Sequence, residues 1–145
     1  MMRRSIIGYF LQLGHALVSW KTKRQATVSR SSTEVEYRAM ASATSEFIWI
    51  RNLLRFLGCS VSPAHLRCDN QAALHIANNP VFHEHIKHVK VDCHFVCERI
   101  TSGKVLPQYT PTTEQLADIF TKALGQRQFH YLIGKLGILN PHAPT

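Results

Sequence analysis

Between Ser31 and Gly58 the chain carries neither glycine nor proline. Nothing inside that stretch breaks a helix, so one long helix is expected there, ending at Gly58 as its C-cap. Ser31, Ser32 or Thr33 can cap its start, and Glu34 and Glu36 sit in its first turns, where the helix dipole favours anions. Glu36, Met40, Ala43, Phe47, Ile50, Leu54 and Leu57 step by four and three. That spacing predicts a single core-facing stripe with a carboxylate at its N-terminal end. Glu34 belongs to a more polar stripe with Arg38, Ala41, Ser45, Ile48 and Asn52, and is spaced for a surface ion pair with Arg38. A carboxylate on a core-facing stripe must lie in water just past the core edge, or be paired, or hold a metal.

Around this helix the pattern changes period. Ile7, Tyr9, Leu11 and Leu13 alternate, Gly14-His15 follows, and Ala16, Val18 and Trp20 alternate again, which predicts a β-hairpin. A short strand edge is expected near Thr27-Val28. His65 to Cys68 reads as a strand ending at Asp69, and Asn70 to Ala77 as a helix stopped by Asn78-Asn79-Pro80, with Asp69 as its N-cap. Phe82 to His88 reads as a His-rich loop or helix start, and Val89 to Ile100 as a helix. Lys104 to Tyr109 reads as a strand that Pro107 places at an edge. Thr112 to Gln115 is a capping box opening a helix over Leu116 to Lys122. Gln126 to Leu136 is a last amphipathic helix. This order predicts an α/β domain over residues 3–136, a mixed sheet flanked by helices, and a loose tail over 137–145.

A length of 145 residues suits one domain with a real core. The formal net charge of +8 makes a polyanionic partner plausible. Lys21, Lys23, Arg24 and Arg30, with Asn70 beside the acid, are the candidate nucleic-acid contacts. Cys59, Cys68, Cys93 and Cys97 show no C-x-x-C and no disulfide framework, and read as buried thiols in a reducing compartment. No apolar run approaches membrane-spanning length. Gln12 and His15 interrupt the apolar start, which argues against a signal peptide.

Three acids stand out: Glu36 on its apolar stripe, Asp69 where a strand meets a helix, and Asp118 in the late helix. Each has an ordinary structural role open to it, Asp69 as a cap and Asp118 as a partner of Lys122. If they converge, they can hold Mg²⁺ ions that activate water and stabilise the leaving oxygen of a phosphodiester.

Several stretches, in order along the chain, carry a resemblance. They are Ser19-Trp20-Lys21-Thr22-Lys23-Arg24-Gln25, Val28 to Ala39, Cys68-Asp69-Asn70-Gln71-Ala72-Ala73, Lys87-His88-Val89, His94-Phe95-Val96, and Thr110 to Lys122. Over about Arg3 to Leu136 the chain resembles the ribonuclease H domain at the C-terminal end of the Pol polyprotein of copia-type LTR retrotransposons. The resemblance implies a ribonuclease H-like fold, a five-stranded mixed sheet with helices on both faces. It also implies four acids binding two Mg²⁺ and cleaving the RNA strand of an RNA–DNA hybrid during reverse transcription. Glu36, Asp69 and Asp118 fall on three of those acids, and Asp92 is a weaker candidate for the last. The implied setting is a cytoplasmic virus-like particle, next to the reverse transcriptase domain of the same polyprotein.

The resemblance departs at the front. It implies a central first strand, upstream of Arg3-Arg4-Ser5, bearing the first aspartate. No aspartate precedes Asp69 in this chain. Two functional classes follow: a metal-dependent ribonuclease H, or an inactive truncated remnant that binds nucleic acid or is not stably folded. Zinc is disfavoured, because His83, His85, His88, Cys93, His94 and Cys97 match no finger spacing.

Overall fold

The computed structural model describes residues 5–26, 32–79 and 90–137. The element order is β1 (Ile6–Leu13), β2 (Ala16–Arg24), α1 (Ser32–Phe56), β3 (Ala64–Cys68), α2 (Gln71–Asn78), α3 (Lys90–Thr101), β4 (Val105–Tyr109), two 3₁₀ turns (Thr112–Glu114 and Leu116–Phe120) and α4 (Gln126–Leu136). The expected strand near Thr27-Val28 and the His-rich stretch from Phe82 to His88 lie outside the described residues, as does Arg30.

The described residues are mixed α/β, as expected, but they form two small sheets rather than one. Among the described residues, β1 and β2 pair antiparallel as one two-stranded sheet, and β3 and β4 pair in parallel as another. Strand partners are set by long-range geometry that local alternation does not encode. In the second sheet, Ala64 N–H donates to Lys104 O and Thr110 N–H to Cys68 O. Backbone groups alternate sides along a strand, so those of His65 and Arg67 face away from β4. Arg67 O is met there by the Gln115 side chain at 3.4 Å. Pro107, opposite Leu66, sits on an edge as expected.

Helix α1 touches β1, β3, α2 and α3. Its end is a Schellman closure: Cys59 N–H bonds Leu54 O, Gly58 N–H bonds Arg55 O, and Gly58 holds φ +84°. Its buried residues are Glu34, Tyr37, Met40, Ala41, Ala43 and Thr44. The buried face is therefore rotated from the expected stripe. Met40 and Ala43 stay inside, Glu36, Phe47, Ile50 and Leu54 are half-buried, and Leu57 is exposed beyond the helix end. Tyr37, Met40 and Ala41 pack with Cys68, Ala73, Leu74, Ala77, Cys93 and Val96 in the core. Full burial of a side chain the size of Val96 contributes about 1.5–3 kcal/mol.

The hairpin turns at Gly14-His15, as its pattern predicts. Ile7 is buried and, with Tyr9, Lys21, Lys23 and Ser42 of α1, lines a small recess, so that face of the hairpin meets α1. The register shifts between Leu11 and Gln12, and Leu13, Val18 and Trp20 are left exposed. The opposite face carries Gly8 and Phe10, packed against Thr121 and Phe120. Thr22 Oγ1 donates to Phe120 O at 3.1 Å and fastens β2 to the same segment.

Candidate metal centre

Three elements build the site. The start of α1 brings Glu36, the carboxyl end of β3 brings Cys68 and Asp69, and the second 3₁₀ turn brings Asp118. Asp69 does not cap α2. Asn70 does, its Oδ1 accepting Ala73 N–H at 2.9 Å, which corrects the sequence expectation and leaves the Asp69 carboxylate free of that duty. Asn and Asp cap equally well, so only the backbone path decides between neighbours.

One ligand atom from each of Glu36, Cys68 and Asp69 lies within 4.8 Å of the other two. A cavity of about 670 Å³ opens over the two carboxylates, lined by Ser32, Glu36, Asp69, Asn70, Gln71, Tyr109 and Lys122, with Cys68 buried behind them. Burial, then the charge of Asp69 and more weakly that of Asp118, hold the Glu36 carboxyl above the usual carboxylate range. The Cys68 thiol at 3.6 Å and Lys122 pull the other way. Burial is also the main reason the Cys68 thiol is pushed up to about 12.

Asp118 is buried and raised chiefly by burial, with Lys122 opposing and Asp69 adding to the rise. Its Oδ2 is bound by Lys122 Nζ at 3.1 Å. The expected capping box and α-helix give way to 3₁₀ turns, in which Gln115 caps the second turn through Ala117 N–H. So the structure brings Glu36 and Asp69 together directly. Asp118 couples to them by charge, while its own ion pair is with Lys122. Asp92 is not among the cavity's residues; burial raises its carboxyl and the charge of Arg38 opposes that rise.

Glu34 is the main surprise on α1. It is buried rather than at the surface, yet its ion pair with Arg38 forms as the spacing predicts, at 2.7 Å. Arg38 also donates to Gln25 Oε1. Strand alternation splits the expected basic patch: Lys21 and Lys23 share the α1 face of the hairpin, and Arg24 points to the other face. Cys68 was read from sequence only as a buried thiol. Its place next to Asp69 was the one available signal that it would join the acids.

No family model matches this chain, and no solved structure matches it. Sequence relatives are informative. The homologues of this chain are copia-type, retrovirus-related Pol polyproteins. The chain is 42% identical over 132 residues to the Pol polyprotein from transposon RE1 of Arabidopsis thaliana, and 42% identical over 133 residues to that from transposon RE2. It is 31% identical over 127 residues to the Pol polyprotein from transposon TNT 1-94 of Nicotiana tabacum. These alignments cover 88–91% of this chain but only 9–10% of each relative. The chain therefore spans about a tenth of the length of these relatives. Among the described residues, no helix is long and apolar enough to cross a membrane.

Proposed function

We propose that this chain is the ribonuclease H part of a retrotransposon Pol polyprotein, hydrolysing the RNA strand of RNA–DNA hybrids with Mg²⁺. The observation that carries this reading is the approach of Glu36 and Asp69 at the mouth of an open cavity, within a chain aligned along nine-tenths of its length with Pol polyproteins. The donor set fits a hard cation: two carboxylates with open cavity beside them, so that water can complete an octahedral shell. Bound there, Mg²⁺ would supply a more acidic water and charge neutralisation at the scissile phosphate. Glu36 and Asp69 would hold it. Lys122, facing the same cavity, would oppose phosphate charge, and the Asn70 and Gln71 amides would meet the nucleic-acid backbone. The reverse transcriptase domain of the same polyprotein is the proposed neighbour.

A second reading has a specific observation in its favour. Asp118 is engaged by Lys122, which leaves two carboxylates where two-metal chemistry needs more. On this reading the chain binds hybrid and one cation but does not turn over. One experiment separates them: Mg²⁺-dependent cleavage of a labelled hybrid by this chain and by the chain extended with the aspartate-bearing first strand that the family resemblance implies. Cleavage by either, abolished by Asp69→Asn, supports the ribonuclease. Hybrid binding that weakens steeply with salt, without cleavage by either form, supports the second reading. Absence of both binding and cleavage refutes the two together.

A further inference from the structure

We propose that Cys68 makes the Glu36–Asp69 pocket a site for one thiophilic d¹⁰ cation, Zn²⁺ or Cd²⁺, in competition with the hard cation of the proposed function. This rests on those carboxylates being a cation site, but not on any cleavage. The argument is geometric. Ligand atoms around a tetrahedral centre at zinc distances stand about 3.5 Å apart. The Glu36, Cys68 and Asp69 atoms already lie within 4.8 Å of one another, and Cys68 Sγ is 3.6 Å from Glu36 Oε2. Side-chain adjustments of about an ångström therefore close a sulfur–oxygen–oxygen triad, with the cavity leaving a fourth position for water.

Two further features support the assignment. The Asn70 N–H points at Cys68 Sγ from 3.4 Å, a donor that remains in place for a metal-bound thiolate. Cys93, the other buried thiol, packs in the core, outside the carboxylate group. Sulfur adds nothing to Mg²⁺ binding but favours zinc and cadmium strongly. The metal–sulfur bond forms as the S–H proton leaves to solvent, so binding needs no oxidant or reductant.

The test is Cd²⁺ titration of the full chain carrying Cys59→Ser and Cys97→Ser, read by the ultraviolet thiolate-to-cadmium charge-transfer band. The band should saturate at one Cd²⁺ per chain. Adding Cys68→Ser should abolish it and weaken Cd²⁺ binding by at least about tenfold, since even outer-shell changes cost that much. Mn²⁺ affinity, read by water-proton relaxation, should not change. Cys68→Ala and circular dichroism guard against a folding defect, and X-ray absorption of the Cd²⁺ form with Cys68 intact should show one sulfur among oxygen ligands. A band that survives Cys68→Ser, or a sulfur-free shell, overturns the inference. Mn²⁺ binding without a cadmium band defeats this inference alone. A Cys68-dependent band without Mn²⁺ binding supports it and defeats the Mg²⁺ reading.

Discussion

Replacing Gly8 with alanine should strain the joint between the hairpin and the segment that carries Asp118 and Lys122. A Cβ on Gly8 would stand 2.5 Å from Thr121 Cγ2 and 3.2 Å from Phe120 Cβ. The first distance is untenable. Thr121 can turn about χ1, but a β-branched side chain has few wells to turn into, and Phe120 Cβ moves only with its backbone. Overpacking of this kind costs about 1–3 kcal/mol. Alanine offsets roughly 0.4–1 kcal/mol by narrowing the unfolded ensemble. The net expectation is a loss of about 1–2 kcal/mol in urea unfolding, with an unchanged m-value. Thr121→Ser removes the offending methyl, so the double variant should recover most of the loss. An additive cycle, or a Gly8→Ala protein as stable as the parent, would refute the contact and with it the link from hairpin to site.

Two more expectations concern α1. Glu36 is held above its ordinary value of 4.5, mainly by burial and then by Asp69. A raised carboxyl favours folding while it is protonated; that stability is complete below 4.5 and is lost as pH rises through the folded value. Without added metal, Glu36→Gln should therefore raise the urea midpoint at pH 7 and leave it unchanged at acid pH; an equal shift at both would contradict the electrostatic cause. Glu34→Ala should cost about 2 kcal/mol in the same assay, below the usual figure for a fully buried pair because the Arg38 side chain keeps 21% of its exposure. A loss within error would mean that water replaces the pair freely.

Helix α1, the hairpin turn, β3 and the span of α4 were legible because each depends on local signals: a breaker-free run, a Gly-containing loop between alternating runs, a capped amphipathic stretch. The phase of α1 was legible only in part. Its period placed Glu36 in line with Met40 and Ala43, which is why Glu36 reaches the cavity. The buried arc nevertheless centres nearer Tyr37, Met40 and Thr44, because α1 is packed by β1, β3, α2 and α3 at once and so buries more than one stripe. Glu34 could be buried because Arg38 neutralises it, a compensation that hydrophobicity counts miss. Strand pairing was the least legible part. β3 and β4 are separated by 36 residues in sequence between Cys68 and Val105, and their parallel register goes with the packing of β3 on α1 and of β4 on α2 and α3, which their own alternation does not encode. Asp118 was legible both as an acid and, from its i,i+4 spacing, as a partner of Lys122; what was not legible is that 3₁₀ turns rather than an α-helix carry the pair.

The central claim is that Glu36 and Asp69 form a cation site. Mn²⁺ binding by water-proton relaxation tests it most directly, on the parent chain, Glu36→Gln, Asp69→Asn and, as an acidic control outside the cavity, Glu114→Gln. The account predicts saturable binding in the parent and the Glu114 variant and its loss, by at least about tenfold in affinity, in the Glu36 and Asp69 variants. Equal affinity across all four proteins would contradict it.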